Sequence, residues 1–155
     1  MRPSGGPDGN AGSPGEVTHG AGELSSGDTS ALARGIRIGI DIADEREIAE
    51  MLRNEAALRM VFTEREIAEC RSRGEDTAAS LARRFAAKEA LLKACREAVG
   101  APAAIEILHD AQGAPSARWE RLEGLGLRAE ISLSSASPFA IAAAIVLPVT
   151  TPSET

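Results

Sequence analysis

The stretch GIRIGIDIADE, residues 35–45, has isoleucine at every second position from 36 to 42, the period of a β-strand with one buried face. Aspartate is depleted from strands and glycine weakens them, yet Gly39 and Asp41 both lie within this one. Two interpretations of Asp41 are open. Either its carboxylate faces water on the solvated side of the sheet, or it holds a ligand and Gly39 leaves room for that ligand.

The composition predicts one soluble globular domain. The chain has 155 residues, of which 43% are hydrophobic and 26% are charged, and this is enough for a sizeable core. A formal net charge of −6 argues against nucleic acid as a partner, because nucleic-acid-binding proteins neutralise phosphates with basic surface. Three Phe, one Trp and no Tyr provide no platform on which bases would stack.

The few cysteines and histidines argue against several kinds of site. Cys70 and Cys95 fall in predicted helices without a second pair at metal spacing, so we interpret them as thiols of a reducing compartment. His19 lies in a Gly- and Pro-rich segment and His109 near a predicted turn. The sequence therefore argues against a Ser–His hydrolase and against a histidine-based metal site.

The ends of the chain predict a cytoplasmic protein without a membrane anchor. The N-terminus lacks the apolar core of a secretory signal. The longest apolar run, FAIAAAIVLP at 139–148, is about half as long as the roughly 20 residues that a spanning helix requires. Residues 1–33 are rich in Gly, Pro and Ser and predict a disordered tail, residues 34–149 form the domain, and residues 150–155 are a short polar tail.

Helical patterns occupy the first half of the domain. Residues 44–62 are rich in helix-forming side chains, and Thr63 with Glu66 forms a capping-box pattern at the start of the next helix. The longest helical run covers 77–99, and Gly100 and Pro102 end it.

Strand patterns occupy the second half. AAIEILHD (103–110) and PSARWERL (115–122) predict two strands joined through the turn AQGAP, and LRAEISLS (127–134) and FAIAAAIVLP (139–148) predict a second pair joined through SASP. A strand, then helices, then a run of strands predicts an α+β domain, an antiparallel sheet with a long helix packed on it. The last strand is apolar on both faces, so it is either central or pressed against another subunit.

Glu89 interrupts the apolar stripe of the long predicted helix. The stripe consists of Leu81, Phe85, Leu92, Cys95 and Val99. A charged residue on a buried stripe needs a partner or a metal ion. Lys93 offers Glu89 an ordinary helix pair, but such a pair contributes only about 0.2–0.5 kcal/mol.

Asp41 and Glu89 together suggest a site for a hard divalent cation. Carboxylates suit Mg²⁺, which usually keeps waters and accepts substrate phosphates as its other ligands. The cations Arg84, Lys88 and Lys93 lie on the same predicted helix and would meet further phosphate charge. Because no Gly-rich segment precedes a GK[ST] sequence, a P-loop is excluded, and a magnesium-dependent phosphoryl-type transfer fits best.

Four motifs in the same order resemble one known family. GIDI (39–42) followed by RRFAAKEALLKA (83–94) resembles holo-acyl-carrier-protein synthases, of the 4′-phosphopantetheinyl transferase superfamily. VFTEREI (61–67) and GAP (113–115) are also similar to that family, so the resemblance covers about 35–147.

The resemblance implies a reaction, a cofactor and partners. Members transfer phosphopantetheine from coenzyme A to a serine of an acyl carrier protein, release adenosine 3′,5′-bisphosphate, use Mg²⁺ and are usually homotrimers with sites between subunits. By motif, Asp41, Glu89 and Lys93 would be the catalytic set, with the two carboxylates as metal ligands and Lys93 on the coenzyme A phosphates. The general base stays open between a water held by Asp41 and Glu89 acting through a water.

The remaining site predictions follow the same motifs. Arg84 and Lys88 are weaker candidates for the coenzyme A phosphates, and Pro115 would line the adenine end. The family's third motif, Ser-x-Ser/Thr-His-Ser/Thr, corresponds to SLSSA at 132–136, from which Ser134 and Ser135 would contact coenzyme A. Ser135 replaces the family histidine, and serine cannot act as a base near neutral pH.

Carrier-protein recognition is a further departure from the family pattern. Members often place arginine on the first helix, where this chain has Glu47 within DEREIAE. Arg46, Arg53 and Arg59 would contact the acidic carrier protein instead, with weaker electrostatic steering. Together with Ser135, this keeps an alternative open: a catalytically impaired family member that serves as a coenzyme A or carrier-protein binding subunit.

Overall fold

The computed structural model describes residues 35–74, 76–96 and 101–149. The predicted tails at 1–33 and 150–155 lie outside these ranges, as do Val99 and Gly100 at the predicted end of the long helix. The elements in chain order are β1 (Arg37–Asp44), α1 (Glu45–Met51), α2 (Glu55–Val61), α3 (Glu64–Ser72), α4 (Thr77–Cys95), a 3₁₀ turn (Pro102–Ala104), β2 (Glu106–His109), β3 (Pro115–Arg118), α5 (Glu120–Gly124), β4 (Leu127–Ala136) and β5 (Phe139–Pro148).

The predicted α+β class is confirmed. Strands β1, β5 and β4 form an antiparallel sheet in that order, and β2 and β3 form a separate hairpin. Strand β5 is therefore the central strand, which was one of the two predicted alternatives. No helix within the described ranges is both long and apolar enough to span a membrane.

Side-chain caps fix where the helices begin. The predicted capping box at α3 is present, with the Glu66 amide donating to Thr63 Oγ1 (3.2 Å) and the Thr63 amide donating to the Glu66 carboxylate (2.8 Å). Asp76 caps α4 by accepting from the amides of residues 78 and 79. Helix α4 ends at Cys95, because Arg96 adopts the left-handed conformation with φ 58°.

The segment PSARWERL is only half strand, which corrects the prediction. Strand β3 ends at Arg118, and the following residues form helix α5. Trp119 and Leu122 stand three residues apart and are both buried, a spacing that suits one face of a helix and not one face of a strand.

Small side chains let α4 pack closely on the sheet. Ala140, Ala142, Ala144 and Val146 of β5 are fully buried and belong to the same core as α4. Ala90 and Ala94 on α4 are also buried. Alanine on both sides brings the helix backbone near the sheet, so residues of α4 and β1 become neighbours.

The isoleucines of β1 do not form its buried face, contrary to the alternation read as a half-buried strand. Ile38, Ile40 and Ile42 are 60–65% exposed, whereas Gly39 and Ala43 are buried under α4. Phe139, Ile141 and Ile145 of β5 are exposed as well, and the antiparallel register places them on the same side. We call this surface the isoleucine face: Ile36, Ile38, Ile40, Ile42, Phe139, Ile141 and Ile145. Asp41 consequently lies on the opposite face, the one that α4 covers.

Gly39 makes room for α4 and not for a ligand, which corrects the role that the second interpretation gave to this glycine. A Cβ at position 39 would lie 1.9 Å from the Ala90 carbonyl oxygen and 2.8 Å from the Ala94 amide nitrogen. Both are backbone atoms that cannot rotate away, so a side chain here would push the helix off the strand.

Gly39→Ala is expected to destabilise the protein by about 1–3 kcal/mol, because the added methyl overpacks a backbone-to-backbone contact. Gly124→Ala is the matched control, since nothing lies within 4 Å of a Cβ built there. Urea unfolding of both variants measures the difference in the free energy of unfolding. Equal stability of the two variants would contradict this packing.

Candidate active site

Asp41 meets the end of α4 through Lys93. The Lys93 ammonium donates a short hydrogen bond to the Asp41 carboxylate, and its nitrogen lies 3.5 Å from the Ile40 carbonyl oxygen. The Asp41 side chain is 13% exposed and that of Lys93 is 55% exposed. The hydrogen bond to Asp41 raises the pKa of Lys93, so the ammonium stays charged at the edge of the site.

Glu89 lies one helical turn before Lys93 and faces the same cluster. Burial raises the pKa of Glu89, and the negative charge of Asp41 raises it further, while Lys93 opposes the shift. The sequence predicted that these three residues come together. The structure pairs Lys93 with Asp41, and the charge of Asp41 acts on Glu89. Two carboxylates whose charges interact are a donor set that a divalent cation suits.

The donor chemistry fits Mg²⁺ and not a metal held entirely by protein. Among residues 35–74, 76–96 and 101–149, no group of three or more His, Cys, Asp or Glu side chains is placed to hold an ion. Mg²⁺ usually binds through one or two carboxylates and completes its shell with water and substrate phosphates. Asp41 and Glu89 match that pattern.

Arg84 has internal partners, a different role from the predicted phosphate contact. It is fully buried and donates to the Ile107 carbonyl (3.0 Å), to Ser80 Oγ (2.8 Å) and to the Glu69 carboxylate (2.7 Å). These bonds tie α4 to β2 and to α3. Since the guanidinium is committed inside the protein, the proposal below does not use it for coenzyme A.

Lys88, like Arg84, uses its charged group for contacts inside the protein. Its ammonium is fully buried, donates to the Glu66 carboxylate (2.7 Å) and the Val61 carbonyl (2.6 Å), and lies 5.2 Å from the centre of the Phe62 ring. Burial lowers the pKa of Lys88, against the opposing effect of Glu66. The predicted contact with phosphate is replaced by a structural ion pair.

Pro115 lines a small cavity beside the sheet. The cavity has a volume of about 300 Å³ and is lined by Arg83, His109, Gly113, Pro115, Ile131, Ser132 and Leu133. We call it the Pro115 cavity. A larger open cavity of about 570 Å³ lies near β3 and α5 and contains none of the predicted site residues.

The strand register relates the Pro115 cavity to Asp41, which forms the acidic cluster together with Glu89. Asp41 of β1 pairs with Ala142 of β5, which pairs with Leu133 of β4, so the three residues form one row and share a face. Strands in a sheet are 4.7–4.9 Å apart, and Asp41 therefore lies about 10 Å from Leu133. Ser135 is one row further on the same face, whereas Ser134 is on the side of the isoleucine face.

The predicted carrier-contact arginines are on the surface but partly neutralised. Arg46 bonds Asp44 through Nη2 (2.6 Å), and Arg59 bonds Glu55 (3.3 Å). Arg53 is exposed in the turn between α1 and α2. The first two therefore offer less net positive charge than the sequence suggests.

Comparison with known proteins identifies the family. A family model described as the 4′-phosphopantetheinyl transferase superfamily matches residues 37–144. The chain belongs to this superfamily. This 4′-phosphopantetheinyl transferase homologue is 38% identical over 122 residues to a curated holo-[acyl-carrier-protein] synthase of Nocardia farcinica, an alignment that covers 71% of the chain and 84% of the relative. The resemblance drawn from the four motifs is thereby confirmed.

Solved structures of the same superfamily share the fold of this homologue. The holo-[acyl-carrier-protein] synthase of Neisseria meningitidis superposes with a TM-score of 0.64 and 29% identity, covering 71% of the chain and 96% of that protein. The enzyme of Bacillus anthracis, solved in complex with CoA (3′,5′-ADP), gives a TM-score of 0.63 and 28% identity, covering 72% and 96%.

Three site residues were missed by the sequence analysis. Glu66 was seen only as a helix cap, yet it also holds Lys88 and accepts from the Ile107 amide (3.0 Å). Glu69 and His109 bond each other at 2.7 Å and were not linked. No local signal in the sequence joins residues 40 positions apart, although a histidine at the end of β2 is an unusual residue that could have been noted.

Proposed function

We propose that the chain transfers the 4′-phosphopantetheine group of coenzyme A to a serine of an acyl carrier protein, giving holo-carrier protein and adenosine 3′,5′-bisphosphate. The observation that carries the proposal is the meeting of Asp41, Glu89 and Lys93 at the junction of β1 and α4. The named relatives of the superfamily are holo-[acyl-carrier-protein] synthases, and one of them was solved with coenzyme A.

Asp41 and Glu89 would hold Mg²⁺ in this reaction. When bound, the ion would offset the negative charge of the pyrophosphate as the transition state forms. Burial and the negative charge of Asp41 raise the pKa of Glu89, which favours a cation beside it. A bound cation would offset the charge of both carboxylates.

The chain's own residues would position both substrates. The carrier serine hydroxyl attacks the phosphorus that bears pantetheine, the bond from that phosphorus to the bridging oxygen breaks, and adenosine 3′,5′-bisphosphate departs. Lys93, exposed at the edge of the cluster, would bind the departing phosphate and stabilise its charge. The serine proton passes to a water, from which either Asp41 or Glu89 can accept a hydrogen bond.

The Pro115 cavity is the proposed place of the adenosine end. Its apolar walls suit a base ring. Ser135, which is exposed on β4, would contact another part of coenzyme A. Ser134 faces the other way and would contact the ligand only at an interface between subunits.

A homotrimer is the proposed assembly, with sites between subunits. The isoleucine face supports it, since seven large apolar side chains on one side of the sheet are 38–73% exposed in the single chain. Burying this face against other copies would remove it from water and would bring another subunit next to β1 and its site.

Ile38→Glu is expected to convert the assembly to monomers and to reduce transfer, because the charge would have to be desolvated at the interface. Met60→Glu is the matched control, since Met60 is 75% exposed on α2, away from the isoleucine face. Light scattering after gel filtration measures the mass. A trimer unchanged by Ile38→Glu would contradict the proposed interface.

The setting of the reaction is part of the proposal. We expect a cytoplasmic enzyme whose substrates are carrier proteins of fatty acid or polyketide synthesis. Arg46, Arg53 and Arg59 are the proposed contacts to the acidic carrier surface, with the first and last weakened by their own ion pairs.

A second candidate is a binding subunit without activity, which Ser135 favours because it replaces the family histidine. Intact mass of an apo carrier protein, incubated with this protein, coenzyme A and Mg²⁺, separates the two. Gain of one phosphopantetheine is expected. No gain across several carriers, with coenzyme A still bound, would establish the second candidate.

A further inference from the structure

His109 and Glu69 form a hydrogen-bonded pair at the Pro115 cavity. His109 ends β2, its side chain is 15% exposed, and its Nδ1 lies 2.7 Å from Glu69 Oε1. The same carboxylate oxygen accepts from Arg84 Nη2 at 2.7 Å. Burial alone would raise the pKa of Glu69, but the hydrogen bond from His109 and the charge of Arg84 lower it, so the carboxylate is ionised.

This pairing determines which ring nitrogen is available to a ligand. An ionised carboxylate only accepts, so Nδ1 carries a proton and donates it to Glu69. Arg84 lies 3.2 Å from the same Nδ1, but a protonated nitrogen has no lone pair to accept with, and Arg84 therefore serves the carboxylate. Nε2 is left as the ring atom for a ligand, as in other carboxylate–histidine pairs.

The lining of the Pro115 cavity divides into two kinds of side chain. Pro115, Ile131 and Leu133 provide apolar walls, and Arg83 and His109 carry the polar side chains. The guanidinium of Arg83 offers only hydrogen-bond donors, and Nε2 of His109 offers a second polar contact. A flat apolar surface beside a set of donors suits an aromatic ring that carries a phosphate.

We propose that His109, positioned by Glu69, binds the 3′-phosphate of coenzyme A through a hydrogen bond between Nε2 and a phosphate oxygen. This rests on the proposed function, in which coenzyme A is the substrate and its adenosine end occupies the Pro115 cavity. Glu69 fixes the orientation of the imidazole ring through its bond to Nδ1. His109 thereby supplies, from the β2–β3 hairpin, an imidazole that the SLSSA motif on β4 lacks.

The test compares two ligands that differ only in the 3′-phosphate. Calorimetric titration of the full-length protein with coenzyme A and with 3′-dephospho-coenzyme A gives the affinity ratio for wild type, His109→Ala and Glu69→Gln. Because a hydrogen bond to a charged group is lost, His109→Ala is expected to weaken coenzyme A binding about tenfold or more and dephospho-coenzyme A binding less than about twofold. Glu69→Gln is expected to shift the ratio in the same direction by a smaller factor.

Gln112→Ala is the control, since Gln112 is exposed in the same hairpin and does not line the cavity. A merely structural role would lower the melting temperature of His109→Ala and leave the affinity ratio unchanged, and that result would overturn the proposal. Equal weakening of both ligands would also overturn it, because the contact would then not be to the 3′-phosphate.

The outcomes separate this proposal from the proposed function. If wild type modifies a carrier protein while His109→Ala leaves the ligand ratio unchanged, only the histidine assignment fails. If wild type transfers nothing yet loses 3′-phosphate discrimination through His109→Ala, the contact stands and the transferase assignment fails. If wild type binds neither ligand, both fail.

Discussion

Replacing Glu89 by glutamine is expected to lower phosphopantetheine transfer at least about 100-fold, because the substitution removes one of two proposed metal-binding carboxylates and several kcal/mol of charge stabilisation with it. The amide has the same shape, so the packing of α4 on β1 is retained. Initial rates of carrier modification at saturating coenzyme A measure the effect on kcat.

The same variant is expected to be at least as stable as wild type in metal-free buffer. The pKa of Glu89 is raised above its ordinary value of 4.5, so the folded state binds this proton more readily than the unfolded state. Its stabilising contribution is present below 4.5 and is lost as pH rises through the raised pKa. The stability of Glu89→Gln relative to wild type should therefore increase from about pH 4 to about pH 7, as urea unfolding would measure.

Glu123→Gln provides the matched control for both measurements, since Glu123 is exposed on α5, outside the acidic cluster. It should leave the transfer rate and the pH dependence of stability as in wild type. Normal transfer by Glu89→Gln would show that Glu89 is not a metal ligand. This conclusion would hold whether or not the variant is as stable as wild type.

Lys88→Met is expected to lower the free energy of unfolding by about 3–5 kcal/mol, because it leaves the Glu66 carboxylate buried without its cation. Both side chains of this pair are 0% exposed. Glu66 joins three elements at once, through the cap of α3, the ammonium on α4 and the Ile107 amide of β2. Chemical denaturation followed by circular dichroism gives the change.

Two further variants distinguish the stability contributed by the buried Lys88–Glu66 pair from the effect of removing any positive charge. Arg59→Met removes a cation whose side chain is 56% exposed, and an exposed pair contributes at most about 1 kcal/mol. Glu66→Gln combined with Lys88→Met should recover part of the loss, since the uncompensated charge is gone while the amide oxygen can still accept. A loss under about 1 kcal/mol for Lys88→Met alone would contradict the role assigned to the pair.

The local elements of this fold are largely predictable from sequence, and the choice of buried face is not. Alternation in β1 identifies a strand because its side chains alternate between two faces. It does not say which face meets the helix. Large isoleucines suggested the inner face, but the alanine-rich surface of α4 needs glycine and alanine opposite it, and the isoleucines are left outside.

The site was predictable where its chemistry is unusual for its local position. Asp41 in a strand and Glu89 in an apolar stripe both stood out, and the charge of Asp41 acts on Glu89 in the folded protein. Arg84 and Lys88 were weaker candidates for the phosphates, and their partners, Glu69 and Glu66, lie on α3, a different helix. Pairings of that kind depend on tertiary packing, which no spacing along one helix reveals.

The most direct measurement is electron paramagnetic resonance of Mn²⁺, used as a probe for Mg²⁺, with wild type, Asp41→Asn and Glu89→Gln in the presence and absence of coenzyme A. Since two carboxylates alone leave most ligand positions to water and phosphate, we predict weak Mn²⁺ binding by wild type that coenzyme A strengthens. Each substitution should abolish that strengthening. Undiminished, coenzyme A-dependent Mn²⁺ binding by both variants would contradict the assignment of Asp41 and Glu89 as the residues that bring cation and diphosphate together.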